Sequence, residues 1–344
     1  MSRTNSKAPL IGVMVSNTRP LPIYRSIQED MARIVTFSPR DINWGEFRIK
    51  GLLLQSGKWV RKKLPFPNAV YNWRYSDDKW ILKKLEQIMG TDKTFNSITR
   101  FDKWNTYRIL KDSSIGTYQP YTELYSPNNL RGILEKHQAS IIKPRKGHLG
   151  QDIHLIRMTK TGEYQLFQYN SVPIFTSKSW RGIIRHLQKH LTANDYVVQQ
   201  FVPFTMINKR IFDIRLLVQK SFQGTWNVTA MLSRVAVRDY FVTNVCRAIT
   251  SVEEVLAHQH LDQQELLDLL TQTSLQTARL LDKQLGLLGE ISVDYGLDEQ
   301  NHPWIIEVNG MPSKELFIPL RDRKIIKRVY QSPLEYAYYL ATKK

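Results

Sequence analysis

Hydrophobic and polar positions alternate most cleanly between residues 290 and 309. In GEISVDYGLD, Glu290, Ser292 and Asp294 fall on one face of an extended strand, and Ile291, Val293 and Tyr295 on the other. In PWIIEVNG, Ile306 and Val308 point one way, and Glu307 and Asn309 the other. Turn-rich residues 298–302 join the two runs, so the pattern predicts a hairpin with Asp294 opposite Ile306 or Glu307. Short apolar or alternating runs also predict strands at 9–15, 33–37, 50–54, 70–73, 140–143, 152–157, 196–201, 211–220 and 226–235. Helical spacing marks 102–111, with Trp104, Tyr107 and Leu110 on one side, then 177–191, and a Leu-rich run from about 262 to 285 that stops at Gly286. Another helix carries Leu130, Ile133 and Leu134, with Asn128 or Asn129 as its cap. A last helix is expected to begin at Ser332 and Pro333, a cap followed by proline. Ser251 and Glu254 have the spacing of a capping box. Short punctuated strands predict a small α/β domain to about residue 93, followed by alternating helix and strand signals.

Chemistry concentrates on three of these elements. The hairpin brings two carboxylates and an amide oxygen to one patch, and close carboxylates repel unless a cation lies between them. An all-oxygen set with room for phosphates suits Mg²⁺, although the same pattern taken alone fits an edge hairpin with one solvated face. In SIIKPRKGHLGQDIHLI, Lys143 ends an apolar strand, Pro144 stops the ladder, and Gly147 and Gly150 flank a short loop. Glycines let backbone N–H groups approach phosphate oxygens, but an ordinary glycine hairpin gives the same pattern, and no G-K-[ST] motif is present. In IFDIRLLVQK, Asp213, Arg215 and Gln219 share a strand face, where Arg215 either forks two phosphate oxygens or pairs with Asp213. Lys103, by itself, is a helix charge facing water.

Composition narrows the partners. Apolar residues make up 42% of 344, enough for real cores over two or three domains. Lys and Arg outnumber Asp and Glu by 49 to 31, which favours a polyanionic partner such as a nucleotide or acidic polymer. The charge is spread along the chain, with no Cys/His finger or RNA-binding aromatic signature, so nucleic acid is disfavoured as the main partner. The single Cys246 allows no internal disulfide and reads as a packed cysteine. The opening MSRTNSKAPLIGVMV does not read as a signal peptide, and no apolar run reaches the roughly 18 residues of a membrane span. A soluble, intracellular protein is expected.

Taken in order, the helix lysine, the strand lysine with its glycine loop, the linker strand, the strand arginine and the D…E-x-N hairpin resemble the ATP-grasp superfamily. The segments FSPRDINW, KGLLLQSGKWVRKKLPFPNAVYNWR and FNSITRFDKWNTYRIL resemble its YheC/YheD branch, known as endospore coat-associated proteins, so the resemblance covers nearly the whole chain. It implies an ATP-grasp fold of the α+β / α/β class: a Rossmann-like pre-ATP-grasp domain at 1–93, a first ATP-grasp subdomain with the glycine loop at 94–204, and a C-terminal subdomain with the metal hairpin and last helix at 205–344. It implies ATP binding by Lys103, Lys143, the loop of Gly147, His148 and Gly150, and a hinge of Gln199, Gln200, Phe201 and Val202 that reads the adenine edge. Asp294, Glu307 and Asn309 match the ligands of Mg²⁺, with Mn²⁺ as a substitute. Arg215 matches the phosphate-side arginine, and Arg234 and Asn244 lie near the activated carboxylate. Three positions depart from the pattern: His148 replaces a small hydroxyl residue, Gln199 and Gln200 stand where many relatives have Glu, and the stretch after Asn244 lacks paired glycines.

The implied reaction is ADP-forming carboxylate–amine ligation through an acylphosphate, with a small-molecule or peptide acceptor of acidic character. The implied location is the cytoplasm, in association with the forming spore coat. A nucleotide-binding coat protein without turnover, a small-molecule kinase on the same scaffold, and an anionic-polymer binder stay open as alternatives. Asp294→Ala or Glu307→Ala is expected to abolish turnover and leave the fold intact.

Overall fold

The computed structural model describes residues 8–26, 32–147, 150–257, 259 and 262–343, which form three sheets. In the N-terminal sheet, Leu10–Met14, Arg33–Phe37, Ala69–Asn72 and Thr94–Phe95 run parallel at the centre. Arg48–Gln55 and Lys58–Pro65 extend it as an antiparallel hairpin. Period two sorts the central side chains. Met14, Val35 and Val70 pack against Ile81, Leu82 and Leu85 of the helix Trp80–Met89. Ile11, Val13, Tyr71 and Phe95 meet the last helix, Arg323–Thr342.

That last helix starts ten residues, nearly three turns, earlier than its sequence suggests. Asp322 caps it, accepting from the backbone N–H groups of Lys324 at 2.7 Å and Ile325 at 3.1 Å. Ser332 and Pro333 therefore lie inside the helix, and Ser332 Oγ donates to the Arg328 carbonyl at 3.0 Å. Proline cannot bond back to the carbonyl four residues earlier. That carbonyl, on Val329, instead accepts from Gln219 Nε2 of the C-terminal sheet at 2.9 Å. A tertiary contact compensates the local defect and ties the helix to Leu217, Ala230 and Leu232 on its other side.

The middle sheet is antiparallel and six-stranded, in the order Pro173–Ser177, Tyr164–Gln168, His154–Met158, Ala139–Pro144, Tyr196–Gln200, Thr122–Leu124. Ile142, Ile156, Leu166 and Val198 face the helices Pro127–His137 and Trp180–Leu187, while Ile141, Leu155 and Phe167 face the other way. The first helix is capped by Ser126, whose Oγ accepts from Asn129 N at 3.1 Å with Pro127 in the first turn, so neither Asn128 nor Asn129 is the cap. The second helix is shorter than expected because Ser177 ends a strand and Ser179 is the cap.

The C-terminal sheet runs Cys246–Thr250, Trp226–Ala236, Arg210–Lys220, Glu290–Leu297, Pro303–Asn309, all antiparallel, with Met206–Ile207 added on Arg210–Lys220. Ile214, Leu216, Val218, Ile291 and Val293 pack on the long helix Gln263–Leu285. Every residue of Glu290–Leu297 is buried, so this is an inner strand and not an edge with a solvated face.

Candidate functional site

The middle and C-terminal sheets face each other across a cleft of about 900 Å³, its open mouth included. That size is in the range of small-molecule sites. Ile141, Ile153, Phe201, Val202, Phe204 and Phe241 line one end, and Lys103, Lys143, Arg234, Asp294 and Glu307 line the other.

Lys103 opens the helix Lys103–Lys111, and Asp102 caps it by accepting from Trp104 N at 3.0 Å and Asn105 N at 3.1 Å. The same carboxylate pairs with Arg145 at 2.8 Å, which fixes the helix start to the base of the glycine loop. Lys143 shares the cleft face of its strand with Ile141, two residues back. Its Nζ donates to Gln199 Oε1 at 2.7 Å and to the Ile306 carbonyl at 3.4 Å. Gln199 Nε2 donates to Thr122 Oγ1 at 2.9 Å, and that hydroxyl donates to the Pro120 carbonyl at 2.8 Å. The chain of donors fixes which way the Gln199 amide points, oxygen towards the lysine.

The opposite wall carries opposed charges across its inner strands and a facing pair of carboxylates at its edge. Arg234 lies opposite Asp213, and Arg215 opposite Asp294, which lies opposite Glu307. Arg215 forks Asp294, with Nε at 2.7 Å from one oxygen and Nη2 at 2.6 Å from the other, and Arg234 Nη2 joins at 2.9 Å. Arg234 also pairs with Asp213, whose carboxylate accepts from the Thr243 hydroxyl as well. Glu307 is paired with Lys103 at 2.9 Å. A bulge places Asp294 opposite Glu307 but Tyr295 opposite Ile305, leaving the Ile306 carbonyl free to meet Lys143.

Burial pushes the Lys143 ammonium down to about 8; Glu307 pulls it back up and Lys103 pushes it further down. Burial, the largest influence, and the Asp294 charge raise Glu307, but Lys103 and Lys143 together hold the carboxyl below its ordinary value. Asp294 is likewise raised by burial and held low by Arg215 and then Arg234. Arg234 is disfavoured as a cation by burial, yet Asp213 and Asp294 more than reverse this.

These residues fit a hard divalent cation. Asp294 and Glu307 are cross-strand neighbours, and a carboxylate has about four acceptor positions, so both keep capacity beyond their present partners. Asn309 shares the face of Glu307 and could offer its amide Oδ1, but it is not part of the cleft lining, and its buried Nδ2, a donor, has no hydrogen-bond partner among the described residues. Among the described residues no cluster of three His, Cys, Asp or Glu side chains exists, so further ligands have to come from substrate or water.

Gly147, Gly150, Gln199, Gln200 and Asn244 also line the cleft. Gly150 has φ +69°, and a Cβ there would come within 2.3 Å of the Asn244 amide, so the loop closes onto Asn244 only as glycine. His148 lies outside the described residues. Arg215 departs from expectation: it is not part of the lining but sits behind Asp294, where its Nε and Nη2 fork the carboxylate. Arg234 is the arginine that borders the cleft. Sequence reading missed Phe204, Phe241, Val242 and Thr243. Phe204 leaves one local trace: Gly296 is glycine where a Cβ would come within 2.4 Å of its ring.

A family model described as YheC/D-like ATP-grasp matches residues 91–340. The chain is 28% identical to the endospore coat-associated protein YheD of Bacillus subtilis (strain 168), over 89% of this chain and 70% of that one. It is 23% identical to YheC of the same organism, over 90% and 88%. Its fold matches the D-alanine–D-alanine ligase from Bacillus anthracis complexed with ATP, at a TM-score of 0.54 and 11% identity, covering 98% of this chain and 99% of that one. No described helix is long and apolar enough to cross a membrane. The three-sheet architecture and the matched residues agree: the chain belongs to the YheC/D-like ATP-grasp family.

Proposed function

We propose that this protein is an ADP-forming, ATP-dependent carboxylate–amine ligase. The observation that carries the reading is one cleft with an apolar end, two lysines from separate elements, and the opposed carboxylates Asp294 and Glu307. Adenine fits among Ile141, Ile153, Phe201 and Phe204, its edge read by the backbone of 199–202. The triphosphate runs towards Lys103, Lys143 and Arg234, with the backbone of Gly147 and Gly150 over it. Asp294, Glu307 and Asn309 are assigned to hold Mg²⁺ or Mn²⁺, which when bound neutralises phosphate charge. Arg215 positions Asp294 and does not touch substrate.

In this reading a substrate carboxylate oxygen attacks the γ-phosphorus, the bond to the ADP oxygen breaks, and an acylphosphate forms. An amine nitrogen then attacks the carbonyl carbon, phosphate leaves, the nitrogen loses a proton, and an amide remains. Positioning and charge neutralisation carry such chemistry, with no protein nucleophile. Lys143 and Arg234 hold the phosphoryl charge. Arg234 and Asn244 border the region assigned to the carboxylate, and the glycine loop keeps water from the acylphosphate.

One observation favours a second reading, a nucleotide-binding protein without turnover: both Asp294 oxygens already accept from guanidinium groups. ADP release from Mg-ATP, screened over amino acids, peptides and cell-wall fragments with product mass, separates the cases. Acceptor-dependent ADP and an amide product support the ligase. Bound ATP without ADP indicates a scaffold, and a phosphoester product a small-molecule kinase. Like the two Bacillus subtilis relatives named for the endospore coat, the chain is proposed to associate with the forming coat from the cytoplasm; immunodetection confined to cytosol through sporulation excludes this.

A further inference from the structure

The outer hairpin of the N-terminal sheet concentrates charge of one sign, away from the cleft. Strand Lys58–Pro65 pairs along its length with Arg48–Gln55 and, among the described residues, with no other strand, so its second backbone edge is unpaired. On one face Lys50 lies directly opposite Lys63, Leu52 opposite Arg61, and Arg48 opposite Pro65. Like charges opposed across a strand pair destabilise it. The trough over this face is bordered by five cationic residues of that side (these four with Arg40) against two carboxylates, while Lys62 alternates to the other face and donates to Gln55 at 2.8 Å. Glu46 pairs with Lys63 at 2.5 Å and Asp41 lies 3.8 Å from Arg61, surface pairs that an acidic partner would have to displace, whereas Arg40, Arg48 and Lys50 have no carboxylate partner among the described residues. Lys50, Arg61, Lys62 and Lys63 are all exposed.

We propose that this edge captures an extended acidic polypeptide by strand addition. A free strand edge offers both N–H donors and C=O acceptors. Another polypeptide backbone matches both, whereas a phosphodiester backbone supplies acceptors only. Period two then sets the partner's sequence: acidic residues at every second position face Arg61 and Lys63, with Arg48 and Lys50 in the row behind. No residue of the trough lines the cleft, so this surface stands or falls independently of the catalytic reading. Lysines on an edge strand also guard against self-association, and the test distinguishes a guard from a dock.

The test is fluorescence anisotropy of the full chain with a short acetylated peptide alternating threonine and glutamate. Controls are a peptide alternating proline and glutamate, one alternating threonine and lysine, and single-stranded oligothymidine. The expected result is saturable binding of the threonine–glutamate peptide alone. Joint Lys50→Glu and Lys63→Glu substitution is expected to weaken it by about tenfold or more, with Mg-ATP affinity unchanged as the check on folding. Equal binding of the proline–glutamate peptide, which has the charge but cannot add a full strand, overturns strand addition. Equal or tighter binding of oligothymidine, no effect of the charge reversal, or no saturable binding of the threonine–glutamate peptide overturns the proposal.

Discussion

The two walls of the cleft are both sheets, yet they are held together by different physics. The middle wall presents Ile141, Leu155 and Phe167 with a single buried cation, Lys143. The C-terminal wall buries Asp213, Arg215, Arg234 and Asp294 in a ladder where each charge answers its cross-strand neighbour. An apolar wall loses stability in proportion to the atoms removed. A charge ladder fails when one rung is lost, because the partners remain buried and unpaired.

The largest effect expected is for Asp294→Ala. It leaves Arg215 and Arg234 without their shared anion and is expected to cost about 3–5 kcal/mol in urea unfolding, together with all ATP turnover. Geometry thus revises the sequence-based expectation that this substitution spares the fold. A stability close to wild type removes the ladder as an account of the wall. Glu307→Gln comes next: its partner Lys103 is only partly buried, so about 1–2 kcal/mol is expected, again with loss of turnover. Turnover at the wild-type rate refutes the role given to Glu307. On the apolar wall, Ile141→Val is expected to cost about 1 kcal/mol and weaken ATP binding a few-fold, with no change in the pH dependence of stability.

The pH response is the smallest effect and separates the walls by range: both raise stability as pH rises, the carboxylate wall in acid and the Lys143 wall in alkali. Asp294 and Glu307 lie below their ordinary values of 3.8 and 4.5, so the stability they confer is complete above that range and is lost as pH falls through it. Lys143 is depressed from 10.5 to about 8, so between those values the unfolded chain binds the extra proton and stability rises with pH. Lys143→Met is expected to flatten that alkaline rise and leave the acid limb in place. Phosphates beside Lys143 favour its charged form, so ATP binding near pH 8–9 is expected to take up protons, read by calorimetry in buffers of different ionisation heat.

The extents of the two hairpin strands at 290–309 were legible to the residue, because alternation and turn residues fix the ends, whereas the register, open between Ile306 and Glu307 opposite Asp294, is set by a bulge that alternation does not show. The aliphatic face of Ile214, Leu216 and Val218 was legible from the same alternation. The partner of Arg215 was not. Asp213, on its own strand, was the nearer carboxylate in sequence, whereas its actual partner Asp294 lies 79 residues away and is set by strand order. Likewise Ser332 and Pro333 carry a local helix-start signal that Gln219, over a hundred residues away, overrides by satisfying the Val329 carbonyl. Loop residues such as Phe241 and Thr243 follow no period, and only the closed cleft reveals them.

The last helix, wedged between the N-terminal and C-terminal sheets, also constrains the order of assembly. A ribosome makes Ile11, Val13, Tyr71 and Phe95 long before it makes Val329, Tyr336 and Leu340, which cover them. Until that helix emerges, one side of the first sheet lacks much of its cover. The nascent protein therefore carries an apolar, aromatic surface through most of its synthesis, and contacts of such long sequence separation form slowly. A stall in translation between the first sheet and the helix that covers it is thus more dangerous to this chain than one after that helix has emerged.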